Sequence, residues 1–393
     1  MVNWARFFQM IYLDNNATTE VVPEVFASMR PFLEGSYGNP SSAYAFAKEV
    51  KTAIGSAREA VAELLGAAPT EIVFTSCGTE SDNWAILGAL EASPERRHIV
   101  TTRVEHEAVR KLCEKLETKG YTVTWIEVGE TGALDIDQLC DSIRNDTSVV
   151  SVMMANNETG VLFPIAEIAE IVKKKSSALF HVDGVNAVGK VAIDLRNTRI
   201  DLFSISGHKF HGPKGVGALY IRDGVNLPSV QIGGGQENAR RAGTEAVHQI
   251  AGLGAAAKFV SDMSSMDRVR KLRDKLENAI LETIPNTSVN GNRDANQRLP
   301  NTSNISFENT NGEMILSRLD DEGICVSTGS ACHSADHTAS PVLEAMNIPY
   351  SRSMGSVRFS LGRLNTEAEI KTAIDVLPNV VSNLRTLVGN AKS

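Results

Sequence analysis

The chain has 393 residues, 42% of them hydrophobic and 22% charged, and its 39 Lys+Arg against 47 Asp+Glu leave a formal charge of −8. This length corresponds to roughly two or three domains with a core that needs no staples, and the acidic balance excludes a polyanion-binding surface, so no nucleic-acid partner is expected. No run approaches the ~18 apolar residues of a membrane span, and the five cysteines are scattered without a CxxC pair, which excludes a small disulfide framework and fits a reducing compartment.

The opening MVNWARFFQMIYLD lacks the long apolar stretch and small-residue cleavage site of a signal peptide, so a cytoplasmic location without membrane attachment is expected. From residue 71 onward, short β-branched runs recur: EIVFTS, HIVTT, YTVTWIEV, SVVSVMMA, ALFHVD, LFSIS and GALYIRD. They predict strands buried on both faces. Helix-period segments such as TESDNWAILGALEA, HEAVRKLCEKLETKG and PIAEIAEIVKKKSS lie between them. This alternation predicts an α/β fold around a mostly parallel sheet. After Gly243 a long helical stretch, HQIAGLGAAAKFVSDMSSMDRVRKLRDKLENAILETI, contains no strand. The tail, with SNISFE and SVRFSL around GEMILSRLDDEG and a closing TEAEIKTAIDVLPNVVSNLRTLV, predicts a smaller α+β domain. The expected division is an N-terminal segment 1–20 packing with the small domain, a large domain 21–260 and a small domain 261–393.

Open α/β sheets bind ligands at the carboxyl ends of their strands, which directs attention to the residues following each run. After EIVFTS, Cys77-Gly78-Thr79-Glu80 opens a helix, where backbone N–H groups and the helix dipole favour a phosphate; a plain N-cap is the alternative. Asp183 ends ALFHVD, and the Gly207-His208-Lys209 loop follows LFSIS. Taken singly, they read as a helix cap and a solvated loop lysine. Together, a lysine, a carboxylate and a phosphate cradle are the parts a pyridoxal phosphate enzyme requires.

At this point the chain resembles the cysteine desulfurases and selenocysteine lyases, pyridoxal 5'-phosphate enzymes of the class V aminotransferase group. The resemblance rests on YLDNNATT, YGNPSS, FTSCGTES, VEH, ANNETG, HVDGVNAVGK, SGHKFHGPKGVGALY, GGGQE, RRAGTE, STGSAC and VRFSLGR, and runs over almost the whole chain. It implies fold type I, with a large domain built on a mostly parallel seven-stranded sheet, a smaller α+β domain, and a homodimer. It also implies that Lys209 holds the cofactor as a Schiff base, Asp183 pairs with its ring nitrogen, His106 stacks on the ring, and Asn157 reaches the ring oxygen. Thr79, Ser206 and His208, with Gly78 at the helix start and Thr244 of a second subunit, would hold the phosphate. Arg358 would take the substrate carboxylate, with Asn39 beside it. Asn186 stands where the family usually has Gln, one methylene longer, and Asn238 and Ala239 replace an arginine and a glycine.

Cys332 lies in STGSACHSADHTASPVL, a stretch without hydrophobic period that reads as a loop. Cys77, Cys113, Cys140 and Cys325 sit in or beside apolar elements. Cys332 is therefore the candidate catalytic thiol, with His333 next to the substrate. A metal site of Cys332, His333, Asp336 and His337 is the competing reading, disfavoured because nothing nearby orients the ligands, so no metal is expected. The Cys332-His333-Ser334 run is similar to the loop of animal selenocysteine lyases, whereas FTSCGTES and ANNETGVLFPI lean toward nitrogenase-associated desulfurases. The expectation is removal of selenium from L-selenocysteine, or sulfur from L-cysteine, to give L-alanine, with selenocysteine favoured. The alternative is a general cysteine desulfurase supplying persulfide sulfur for iron–sulfur cluster assembly, and a sulfur- or selenium-acceptor protein is a possible partner. An aminotransferase on the same fold, which has no use for Cys332, and a non-catalytic scaffold remain open.

Overall fold

The computed structural model describes residues 10–328 and 339–390. A two-residue strand, β1 (Ile11–Tyr12), precedes helices α1 (Pro23–Glu34) and α2 (Phe46–Leu65), two helices that the strand runs alone did not single out. The seven expected strands follow as β2 (Ile72–Thr75), β3 (His98–Thr102), β4 (Thr122–Ile126), β5 (Thr147–Met153), β6 (Leu179–Asp183), β7 (Leu202–Ser206) and β8 (Gly217–Ile221). Helices α3 (Gly78–Ala92), α4 (Glu107–Glu117), α5 (Ile136–Ser142) and α6 (Ile165–Lys175) lie between them.

The strands form one sheet in the order β2-β8-β7-β6-β5-β3-β4, parallel except for β8, which runs antiparallel to both of its neighbours. All seven residues of β5 are buried, while β4, at the sheet edge, is partly exposed. A strand covered on both faces must be apolar throughout, which is why the interior strands read as continuous β-branched runs.

The long helical stretch after Gly243 is two helices, α7 (Val247–Ser261) and α8 (Ser265–Thr283). The break has a local cause. Asp262 accepts from the backbone N–H of Ser264 at 2.8 Å and from its hydroxyl at 2.9 Å, a side-chain turn that competes with helix continuation.

Helix α7 packs along α2 at a close approach that demands glycine. A Cβ at Gly254 would lie 2.5 Å from the Ala57 Cα and 2.6 Å from its Cβ. Alanine is the better helix former by about 1 kcal/mol, yet Gly254→Ala is expected to destabilise the protein by about 1–3 kcal/mol, because the two backbones must separate. A lowered chemical-unfolding midpoint checks this sign; an unchanged or raised midpoint contradicts it.

The remaining elements are β9 (Thr287–Asn290), β10 (Thr302–Phe307), α9 (Gly312–Asp321), β11 (Ile324–Cys325), α10 (Pro341–Ala345), α11 (Tyr350–Ser353), β12 (Ser356–Ser360) and α12 (Glu367–Asn390). Strands β12, β10 and β9 make an antiparallel sheet, and β1 pairs in parallel with β11. Leu13, just past β1, is buried in one core with Leu276, Ile305, Phe359 and Leu377, separate from the core under the large sheet. The N-terminal stretch is thus fastened to the last third of the chain, and it crosses from there to the carboxyl ends of β6 and β7.

Candidate active site

Gly78 and Thr79 open α3 directly beyond β2, Asp183 closes β6, and Ser206, His208 and Lys209 follow β7. His106 caps α4 beyond β3, and Asn157 and Asn186 lie in the loops after β5 and β6. All of these residues line one cavity. The parallel order of the strands brings residues more than 100 positions apart to one edge of the sheet.

Asp183 is buried, and its Oδ1 accepts from the Val185 N–H at 2.9 Å. Burial, and then the nearby Asp82, push its carboxyl up to about 6. His106 accepts at Nδ1 from the Ala108 N–H at 3.1 Å, which leaves the proton of a neutral ring on Nε2. Burial keeps that ring neutral, opposed by Asp183 and reinforced by Lys209. Burial and the Lys209 charge also push His208 down to about 4. The Lys209 ammonium donates to the main-chain oxygens of Asn16 at 2.6 Å and Ala17 at 3.1 Å.

A second cavity adjoins the first, sharing His106, Asn157 and Lys209, and it contains Arg358. The Arg358 guanidinium donates to Asp14 at 2.7 Å and to the Asn157 carbonyl at 3.0 Å, while its buried Nε has no partner. Two expected site residues stand apart from both cavities. Thr244 is exposed, and so is Asn39, whose side chain accepts from the Ser41 N–H at 2.9 Å. Cys332 and His333 lie outside the described residues.

Ala239, at one of the positions that depart from the family pattern, follows Glu237 and Asn238 in a run of three left-handed residues with φ of 61°, 49° and 57° respectively. Glu237 holds this turn by pairing both carboxylate oxygens with Arg58 at 2.7 Å and accepting from the Phe74 N–H at 3.0 Å.

The sequence reading missed four polar groups at the site. Asp82 lines the first cavity, buried, with Oδ1 3.5 Å from the His181 Nε2 and its carboxyl pushed up to about 7 by burial. Glu105, beside His106, accepts from Thr102 and the Met153 N–H and is held well above the usual carboxylate range by burial. Asn16 and Lys190 lie buried behind Asn186. A helix-period count would have found Asp82, because it lies one turn beyond Gly78 and faces the same way.

Residues 11–372 match the aminotransferase class-V family. The chain belongs to that family. It is 52% identical over 380 residues to a cysteine desulfurase of Trichormus azollae, covering 96% of this chain and 94% of that one. It is 49% identical over 378 residues to the cysteine desulfurase NifS of Azotobacter vinelandii, covering 95% and 93%. A solved structure of a NifS-like protein shares the fold with a TM-score of 0.89 and 36% identity, covering 96% of this chain and 100% of that one.

Class-V enzymes of this type use pyridoxal phosphate, and the cavity suits that group. The buried Asp183 carboxyl and the Lys209 amine line the same cavity as Gly78 and Thr79, the first residues of a 15-residue helix, so the helix N-terminus opens onto the space a phosphate would take.

Proposed function

We propose that this class-V enzyme is a cysteine desulfurase that takes sulfur from L-cysteine and leaves L-alanine. The observation that carries this reading is the position of Lys209, which lines both the cavity of Asp183 and the cavity of Arg358. A lysine there reaches a cofactor on one side and the Cα of an amino acid held by its carboxylate on the other.

Bound pyridoxal phosphate supplies an electron sink for the charge left at Cα. Lys209 Nζ would hold the cofactor and, as a free amine, would take the proton from the substrate Cα. Asp183 as carboxylate would keep the ring nitrogen protonated, and the neutral His106 imidazole, lining the same cavity, would lie against the ring. Gly78, Thr79, Ser206 and His208 take the phosphate. Arg358, which lines the second cavity, would take the substrate carboxylate with its planar guanidinium. Cys332 is proposed from the sequence as the thiol that attacks the substrate sulfur. The Cβ–S bond then breaks, Cys332 keeps the sulfur as a persulfide for an acceptor protein, and the carbon skeleton takes up protons to become alanine.

The exposed positions of Thr244 and Asn39 fit a homodimer in which a second copy completes the site. Phe26, Tyr37 and Ile232, 57%, 81% and 89% exposed, give such a copy apolar surface to cover. The described cysteines are unpaired, which agrees with a cytoplasmic setting.

Cysteine is preferred here to the selenocysteine expected from the Cys332-His333-Ser334 run, because relatives at about half identity are named cysteine desulfurases. A side-by-side assay of both substrates tests the choice. Wild type is expected to release alanine from L-cysteine with persulfide on the protein, and Cys332→Ala to lose at least about 100-fold of that activity. Turnover of L-selenocysteine without turnover of L-cysteine would restore the selenium reading, and keto-acid formation in place of alanine would make the enzyme an aminotransferase.

A further inference from the structure

Lys190 is 7% exposed, and its ammonium donates to three neutral oxygens: Asn186 Oδ1 at 2.7 Å, the Asn186 carbonyl at 3.1 Å and Asn16 Oδ1 at 3.1 Å. Among the described residues no carboxylate forms an ion pair with it. Burial, and then the charges of Lys209 and Arg358, both of its own sign, hold its pKa well below the usual lysine value. A buried ammonium without a counter-ion is costly, so its place in the fold calls for a reason.

Three oxygens surround the Lys190 Nζ within 3.1 Å, and only the ammonium form, with three donors and no acceptor, has a proton for each. Toward Lys190, Asn186 must therefore turn its oxygen, since the reversed amide would set N–H against N–H. The amide nitrogen is left facing the other way, with only the Asn156 carbonyl at 3.5 Å, the limit of a hydrogen bond. Asn186 itself lines the cofactor cavity.

We propose that Lys190 is a positioning residue that locks the Asn186 amide with its nitrogen presented as a donor to the ring oxygen of the cofactor. The same ammonium steadies Asn16, whose main-chain oxygen accepts from Lys209. One buried charge thus sets two groups of the site. It also gives the shorter Asn186 a fixed direction in place of reach, because an amide that cannot flip loses little freedom on engaging the ring.

The inference rests on assigning the cavity to pyridoxal phosphate, and the test separates the two. The absorbance of the bound cofactor is titrated with pH in wild type, Lys190→Met, Asn186→Ala and the double variant. A donor to the ring oxygen competes with the cofactor's own ionisable proton for that oxygen, so losing the donor raises the pH of the absorbance change. Lys190→Met is expected to raise the midpoint by about 0.5–1 pH unit. In the Asn186→Ala background the same substitution should shift it by less than half as much, because the two residues act as one unit.

An equal shift in both backgrounds overturns the proposal, since Lys190 would then act only as a distant charge. The absence of any shift overturns it too, since Lys190 would be packing alone. Should Lys190→Met fail to fold, Lys190→Gln makes the same test, because its amide can accept as well as donate and so releases Asn186. A wild-type chain that takes up no pyridoxal phosphate fails the cavity assignment instead.

Discussion

Replacing Lys209 by alanine is expected to lower alanine release from L-cysteine by on the order of 10⁴-fold. The residue has two duties, and the geometry offers no substitute for either. Its Nζ sits at 2.6 Å and 3.1 Å from two main-chain oxygens, at the junction of the two cavities. Lys190, buried nearby, spends its ammonium on Asn16 and Asn186 and lines neither cavity. Borohydride followed by denaturation gives a second measurement. Cofactor should remain attached to wild type and wash away from the variant. A variant that still retained reduced cofactor would place the attachment elsewhere.

Asp183→Asn is expected to lower turnover by about 10²–10³-fold with little change in fold, because the amide keeps the shape of the carboxylate but not its charge. The pH dependence makes the assignment sharper. In the protein without cofactor the carboxyl titrates at about 6, above the ~3.9 of an unfolded aspartate. A raised acid favours the folded state when protonated. Its contribution to stability is therefore present below about pH 4 and lost as pH rises through about 6. In the proposed site, the cationic ring of a bound cofactor would reverse that loss by pairing with the anion. Cofactor affinity should consequently fall about tenfold per unit as pH drops below about 6, and Asp183→Asn should flatten that slope. A wild-type affinity independent of pH between 5 and 7 would remove Asp183 from the ring nitrogen.

Most of the sheet could be read from the sequence because buried parallel strands have to be apolar on both faces, so runs such as SVVSVMM and LFSIS have few other readings. The site was legible where chemistry and position coincide, as with Asp183 at the end of β6 and Lys209 just beyond β7. It was not legible where a residue's meaning depends on a partner far along the chain. Lys190 looks like a surface lysine in HVDGVNAVGK until the fold brings Asn16, 174 positions away, against its ammonium. Asp14 is likewise an ordinary acidic residue until Arg358 meets it. The break between α7 and α8 had a visible local signal in DMSS, but apolar periodicity runs across it and hides the turn. Selenium against sulfur could not be read from three residues of one loop, when the rest of the chain is close to cysteine desulfurases.

The attachment of the N-terminal stretch sets the order in which the site can be assembled. The sheet bearing Asp183 closes within residues 72–221, using strands made in the first part of synthesis. The segment that supplies Asn16 is made before any of them, yet the partners that hold it come last: Asn15 bonds to Ser360, 345 residues away, and β1 pairs with β11. Contacts so distant in sequence close late. On the ribosome the end of the cavity formed by Gly78, Thr79 and Ser206 is therefore built while the carbonyls that meet Lys209 still wait for the final strands. The cavity around Lys209 is therefore complete only once the strand carrying Ser360 has been made and Asn15 can bond to it.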